Sequence, residues 1–207
     1  YGQWEAPVGF TVLQPQDHID ALKAQNSKLL YSCGRAISFA DVGIMDDQGS
    51  LLPTEQTGEI VTAGGNVMLK YLNNEEATSE TREGKWQRTG DIGKLDENGF
   101  VYITDRKKDM IVTGGNNVYP RQIEEVIYQN KEIEEACIVG IPDKLWGETV
   151  HLVAVCRSGS TVTEDEIIKW ARANLPADHR IRSVEFVDEL PKNNYGKILR
   201  KEIRDSS

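Results

Sequence analysis

At 207 residues, with 24 basic against 33 acidic side chains and a formal net charge of −9, the chain can bury a core in one large domain or two small ones. The acidity excludes general affinity for nucleic acid or anionic membranes, and no apolar run reaches the length of a membrane span or reads as a secretory leader. Cys33, Cys137 and Cys156 lack metal-ligand spacing; Cys137 and Cys156 lie in apolar runs and read as reduced core thiols of a cytoplasmic protein. His18, His151 and His179 are scattered and form no metal or triad pattern.

The first half reads as β with tight turns. Val42–Met45 and Leu51–Leu52 flank Asp46–Ser50 as a hairpin, and Gly58–Thr62 is a short strand closed by Gly64 and Gly65. The polar stretch from Asn73 to Glu83 holds a short helical turn. Lys94–Asp96 and Phe100–Ile103 flank Glu97-Asn98-Gly99, and Asn-Gly is a strong hairpin signal. Short strands at this spacing predict a small barrel or sandwich. After Asp109 the character changes. Met110–Val112 leads into a Gly114-Gly115 turn, and Pro120 opens a helix whose Ile123, Val126 and Ile127 share one face. Strands follow at Glu135–Ile141 and Val150–Cys156, the second apolar enough to be buried on both sides. Thr163 to Glu166 fits a capping box ahead of a second helix with Ile167, Trp170 and Ala171 as its apolar stripe. Ser183–Val187 is a last strand. The expected class is α+β, in two domains: 1–107, β-rich, and 108–207, a compact α+β unit.

Five segments carry candidate chemistry. Tyr1-Gly2-Gln3-Trp4-Glu5 ends in a carboxylate that can hold Mg²⁺ beside a nucleotide, though a lone acid is usually a surface acid. Arg88-Thr89-Gly90-Asp91 offers an aspartate that can accept two vicinal hydroxyls, where an isolated Thr-Gly-Asp usually just caps a turn. Asp105-Arg106-Lys107-Lys108-Asp109 taken alone is a solvated turn. Gly114-Gly115 taken alone is a turn-rich hairpin or loop. The tail Pro191–Lys201 carries Lys197, a compact charge with three donors directly after Gly196.

In this order and separation, these segments resemble the adenylate-forming superfamily of acyl-CoA synthetases, luciferases and peptide-synthetase adenylation domains. The context of Gly84-Lys85-Trp86, Gly93–Asp96, Pro120 and Ile123-Glu124 also fits that pattern. The resemblance implies nucleotide contacts from Tyr1, Gly2, Asp91 (on the ribose) and Arg106 (supporting Asp91), with Glu5 on magnesium. It implies a hinge at Lys108, a pantetheine channel at Gly114 and Gly115, and Lys197 as the catalytic lysine of adenylation. ATP/AMP, Mg²⁺, coenzyme A and a carboxylic acid, fatty acids included, are the implied ligands. The fold implied is the small barrel-like end of a large adenylating domain, followed by a mobile C-terminal domain.

Three departures stand out: Trp4 where the family has threonine, Asn116 where it has glutamate, and Tyr195 where it has a small hydroxyl residue. The Asp-Arg-x-Lys form favours a CoA ligase over an adenylation domain of a peptide synthetase or a luciferase-like enzyme. A pseudo-ligase that only binds a partner or nucleotide is the reading from another class. No Ser/Thr/Gly-rich loop ending in Pro-Lys occurs in the chain. The expectation is therefore a fragment, inactive alone, that completes its reaction only with an N-terminal domain of the same protein.

Overall fold

Local turn chemistry organises the first part of the chain. The computed structural model describes residues 1–207, which separate into two units, Tyr1–Lys107 and Lys108–Ser207. In the first, β1 (Thr11–Val12) pairs with β2 (Arg35–Ala36) around two helices, α1 (Pro15–Lys23) and α2 (Ser27–Leu30). Pro15 at the first turn and Asp17 Oδ2, which accepts the Gln14 N–H at 3.0 Å, start α1, signals present in the sequence but without the apolar stripe that marks a helix. Gly34 has φ +83°, and a Cβ there would fall 1.9 Å from the Val12 carbonyl carbon, so only glycine fits.

The main sheet of this unit is antiparallel. It is built from β3 (Ala40–Met45), β4 (Gly58–Gly64), β5 (Arg82–Glu83), β6 (Trp86–Leu95) and β7 (Val101–Arg106), with α3 (Glu75–Glu80) leading into β5. Asp46 Oδ1 closes the first turn by accepting Gln48 and Ser50 N–H at 2.9 and 2.8 Å. Asp96 Oδ1 closes the β6–β7 turn by accepting Asn98 and Phe100 N–H, both at 2.9 Å. The second arm of the first hairpin shrinks to one bridge, Met45 to Leu51. The sheet stays open and does not close into a barrel: β3 lies at one edge, while the short β5 and β7 both pair with β6. Ala6, Phe10, Ile44, Ile60 and Val101 form its buried core.

A 3₁₀ turn across the boundary (Lys107–Asp109) leads into the second unit, to β8 (Ile111–Thr113), β9 (Asn116–Val118) and α4 (Pro120–Ile127). Then come β10 (Ile133–Asp143), β11 (Gly147–Cys156), α5 (Glu164–Asn174), β12 (Ile181–Phe186) and α6 (Arg200–Ser206). β11 is central, antiparallel to β10 and parallel to β12, with α5 as the crossover. Its two faces enter different cores, as its continuous apolar run predicts. Val150, Leu152 and Ala154 pack with Ile123 and Ile127 of α4 and Ile167 and Ala171 of α5. Val153 packs with Cys137, Val139, Leu190 and Ile203, so the tail and α6 cover the other face. Burial pushes the Cys137 thiol up to about 12, which leaves it protonated and inert at neutral pH.

Thr163 and Glu166 exchange hydrogen bonds at the start of α5, Glu166 N to Thr163 Oγ1 at 3.4 Å and Thr163 N to Glu166 Oε2 at 2.9 Å. The helix α6 has a single buried residue, Ile203, and therefore no apolar period to announce it. No helix is long and apolar enough to cross a membrane. Thr163→Ala should cost about 1 kcal/mol by removing the cap, read as a lower denaturation midpoint at unchanged slope in urea.

Candidate active site

Antiparallel register creates the first cluster. Asp91 on β6 lies directly opposite Arg106 on β7, and their side chains meet at 2.9 Å, Arg106 Nε to Asp91 Oδ1. The Tyr1 hydroxyl donates to the other oxygen, Oδ2. Burial first, and then the Asp91 hydrogen bond, hold the Tyr1 phenol well above its ordinary pKa, so it remains a donor. Thr89 Oγ1 accepts the Asp91 N–H at 3.1 Å and donates to the Ile60 carbonyl at 2.7 Å. A kink at Gly90, φ +72°, lets its N–H reach Glu59 Oε1 at 3.0 Å. Asp91 is only 6% exposed, yet each carboxylate oxygen keeps a lone pair for a further donor.

Tyr1 and Gly2 are fixed by the following loop. The Tyr1 carbonyl accepts Phe10 N–H at 2.9 Å and its ring meets Phe10 edge-on at 4.6 Å. Gly2 lies so close to Gly9 that a Cβ would approach its Cα to 2.5 Å. Beside Thr89 and Gly90 opens a polar cleft of about 280 Å³, which Glu5, Glu59, Tyr71, Arg88 and Lys107 also line. Glu5 Oε1 accepts the Tyr71 hydroxyl at 2.7 Å. Glu59, a buried acid, binds Arg88 Nη1 at 2.9 Å and Lys107 Nζ at 3.1 Å, and Lys107 also reaches Asp47 at 2.7 Å. Burial works against the charge on Lys107, but the bonds to Asp47 and Glu59 carry its pKa above the ordinary value.

Glu59 and Tyr71 lie outside every motif read in the sequence, whereas Arg88 and Lys107 lie inside two of them. The available signal was a glutamate inside an otherwise apolar strand, Gly58–Gly64. Trp4, one of the departures from the family pattern, is 95% exposed and does not line this cleft; Tyr195, in the second unit, is likewise 95% exposed.

The second unit carries Lys108, Gly114, Gly115 and Lys197. Lys108 lies in the 3₁₀ turn Lys107–Asp109. Gly114 and Gly115, at φ +57° and +81°, form the two-residue turn between β8 and β9. Trp146 packs on Gly114 so closely that a Cβ would meet the ring at 2.7 Å, and its carbonyl accepts the Gly114 N–H at 2.9 Å. Arg182 stacks on the Trp146 ring at 4.7 Å, beside a cleft of about 240 Å³ that Thr113, Asn116, Asp178 and Arg180 also line. Lys197 is exposed, in a separate turn organised by Asn193, whose Oδ1 accepts Tyr195 N–H at 2.9 Å and Lys197 N–H at 3.0 Å. No cluster of three potential metal ligands occurs in the chain.

Residues 122–197 match the model of the AMP-binding enzyme C-terminal domain. The chain belongs to the adenylate-forming enzyme superfamily. It is 37% identical over 204 residues to a feruloyl-CoA synthase of Amycolatopsis, covering 99% of this chain and 40% of that protein. It is 38% identical over 214 residues to the medium/long-chain-fatty-acid–CoA ligase FadD8 of Mycobacterium tuberculosis, covering 99% of this chain and 36% of that protein. Among solved structures, it superposes on the o-succinylbenzoate CoA synthetase of Bacillus subtilis in complex with its acyl-adenylate intermediate. That match has a TM-score of 0.84 and 30% identity, over 100% of this chain and 40% of the other. The chain thus spans about two-fifths of the length of the curated relatives it matches.

The Tyr71–Glu5 contact is testable by titration. Burial first, then the Glu5 carboxylate, push the Tyr71 phenol up to about 12, so the folded state holds the proton more tightly than an unfolded tyrosine of pKa about 10. Its contribution to stability is full below about pH 10 and is lost as pH rises through about 12. Phenolate absorbance should show one tyrosine ionising at about 12 that vanishes in Tyr71→Phe and ionises at lower pH in Glu5→Gln.

Proposed function

We propose that these residues serve an ATP-dependent acid–thiol ligase, which forms an acyl-adenylate and then an acyl-CoA thioester. The supporting observation is the convergence of Tyr1 and Arg106 on one buried carboxylate, Asp91. A buried acid with two fixed donors and a lone pair left on each oxygen suits the two vicinal hydroxyls of a ribose. In this reading Asp91 binds the ribose, Arg106 supports both Asp91 and the sugar, and Tyr1 and Gly2 lie against the nucleotide.

In the first step a carboxylate oxygen of the acid attacks the α-phosphorus of ATP. The new P–O bond forms as pyrophosphate leaves with the electrons of the broken one. Acid and phosphate are both anionic, so the barrier falls if a cation meets the developing charge. Lys197 suits that role because it is exposed, compact and carried on a turn whose backbone is already fixed. Glu5 is the residue for Mg²⁺; its hydrogen bond to Tyr71 occupies Oε1 alone, and a carboxylate oxygen is the hard donor this ion prefers. When bound, the ion supplies neutralisation of phosphate charge.

In the second step the coenzyme A thiol attacks the acyl carbonyl, the C–S bond forms and AMP leaves. The Gly114-Gly115 turn is the channel for its pantetheine arm, with Lys108 as the hinge that exchanges Lys197 for this turn between steps. Gly115 has no atom within 4 Å of where a Cβ would sit, which leaves open space beside the backbone. The acid is a carboxylic acid whose class this segment does not select. An aromatic-acid synthase and a fatty-acid ligase resemble it at 37% and 38% identity. The activity is proposed for the whole protein, with the upstream part supplying the phosphate loop and acyl pocket; these 207 residues alone are expected to be inactive.

Acid-dependent ATP–pyrophosphate exchange on the whole protein tests the reading. One charge about 4 Å from the reacting group is worth roughly 4 kcal/mol at an intermediate dielectric, so Lys197→Ala should slow exchange about a thousandfold. Exchange with no acid across a broad panel would sink the reading. Adding coenzyme A then separates a ligase, which releases AMP and thioester, from an enzyme that stops at the adenylate.

A further inference from the structure

Arg200 opens α6, three residues beyond Lys197, and is held by more partners than the start of a short surface helix needs. Its guanidinium grips Glu124 of α4 as a fork, Nη1 to Oε1 and Nη2 to Oε2, both at 2.6 Å. Nη1 also donates to the Ile138 carbonyl at 2.7 Å, and the Ile138 N–H donates back to Glu124 Oε1 at 2.7 Å. Glu124 is only 8% exposed. One side chain thus joins α4, β10 and α6 at a buried point.

The other side of the Lys197 turn is tied to the same strand. Lys192 Nζ bonds Glu135 of β10 at 2.5 Å, and the turn's ends close on each other through the Lys192–Ile198 bridge and Leu199 N–H to the Pro191 carbonyl at 2.9 Å. Leu190 and Ile203, buried on β10 and β11, flank the segment. Between these anchors the chain runs free of the sheet and carries Lys197 at its tip.

We propose that Arg200 is a positioning residue: through Glu124 and the Ile138 carbonyl it fixes the C-terminal side of the turn that presents Lys197. The proposal rests on the reading of Lys197 as the residue that meets the charge of adenylation. A purely structural Arg200 would support the second unit as a whole, and its loss would then depress both half-reactions together. A positioning Arg200 affects only the step that needs Lys197, because the Gly114 turn hangs from β8 and β9 and from Trp146 instead.

The test uses the whole protein and two assays: acid-dependent ATP–pyrophosphate exchange, and conversion of supplied acyl-adenylate with coenzyme A to thioester. Arg200→Lys, which keeps the charge but loses the fork, should slow exchange by about tenfold, and Arg200→Ala by about a hundredfold, the size of effect an ångström of misplacement produces. Glu124→Gln should act in the same direction as Arg200→Lys. Thioester formation should stay within about twofold in all three, since an interaction used in one step leaves the other intact. Equal losses in both assays, or none in exchange, would overturn the proposal.

Amide hydrogen exchange on the 207-residue chain reads the same device without activity. The Lys197 and Asn193 N–H groups, bonded to Asn193 Oδ1 and the Lys197 carbonyl, should exchange at least about tenfold faster in Arg200→Lys, while β11 amides stay protected. If the parent shows no adenylation, or Lys197→Ala leaves it unchanged, the functional reading fails separately. Unchanged protection of the turn would then still refute a positioning role for Arg200.

Discussion

Burying a carboxylate is costly unless charge and hydrogen bonds meet it at once, and this constraint organises both units. Four acids are buried: Glu59, Asp91, Asp105 and Glu124. Asp105 accepts the Arg106 N–H at 2.7 Å. Each of the other three faces an arginine, Arg88, Arg106 and Arg200, at 2.9, 2.9 and 2.6 Å. Each pair also crosses between elements. Glu59–Arg88 ties β4 to β6, Asp91–Arg106 ties β6 to β7, and Glu124–Arg200 ties α4 to α6. Hydrophobic packing builds the sheets, but these pairs fix the turns that carry the motifs. Each desolvated acid has few alternative partners, so the pairing resists slippage in register.

The arginines differ in how much water they see. The side chain of Arg88 is 13% exposed and that of Arg200 22%, against 50% for Arg106. Arg88 and Arg200 are therefore mainly internal ties. Arg106 keeps half its surface in solvent while its partner's side chain is 9% exposed. A ligand laid over Arg106 would remove that water and lower the local dielectric, strengthening the pull between Arg106 and Asp91. The geometry of the pair is set beforehand by the cross-strand register, so a ligand has no strand to rearrange.

Much of this was legible in the sequence wherever one local signal decides. Asn98-Gly99 marks the β6–β7 turn, Pro120 opens α4, Thr163 caps α5, and the apolar run of β11 implies burial on both faces. What was hidden depends on tertiary context. The helices α1, α2 and α6 bury too few side chains for an apolar period, with Ile203 alone in α6. The motif residues Asp91 and Arg106 are visible as residue types, but their mutual contact requires the strand register. Glu59 and Glu124 are harder still. Glu124 and Glu125 are adjacent residues of one type, yet one is buried on Arg200 and the other lies in solvent with Arg121. Only the packing of α4 distinguishes them.

The turn at Lys197 shows why an exposed charge can still be precise. Holding a lysine through its ammonium would consume the charge in an internal pair and screen it from any incoming anion. Here the backbone is held instead: Asn193 Oδ1 takes two amides, the Asn193 N–H binds the Lys197 carbonyl at 2.9 Å, and Gly196 at φ +78° makes the bend. The ammonium remains solvated and unspent. The four-carbon stem retains rotamer freedom, so some ordering entropy is still lost when an anion binds. Ordering the turn in advance removes the backbone share of that cost, about 1–2 kcal/mol per residue. Arginine would suit this position poorly, since a planar fork prefers to saturate on a fixed carboxylate. Arg200 does so three residues later in the same tail, on Glu124.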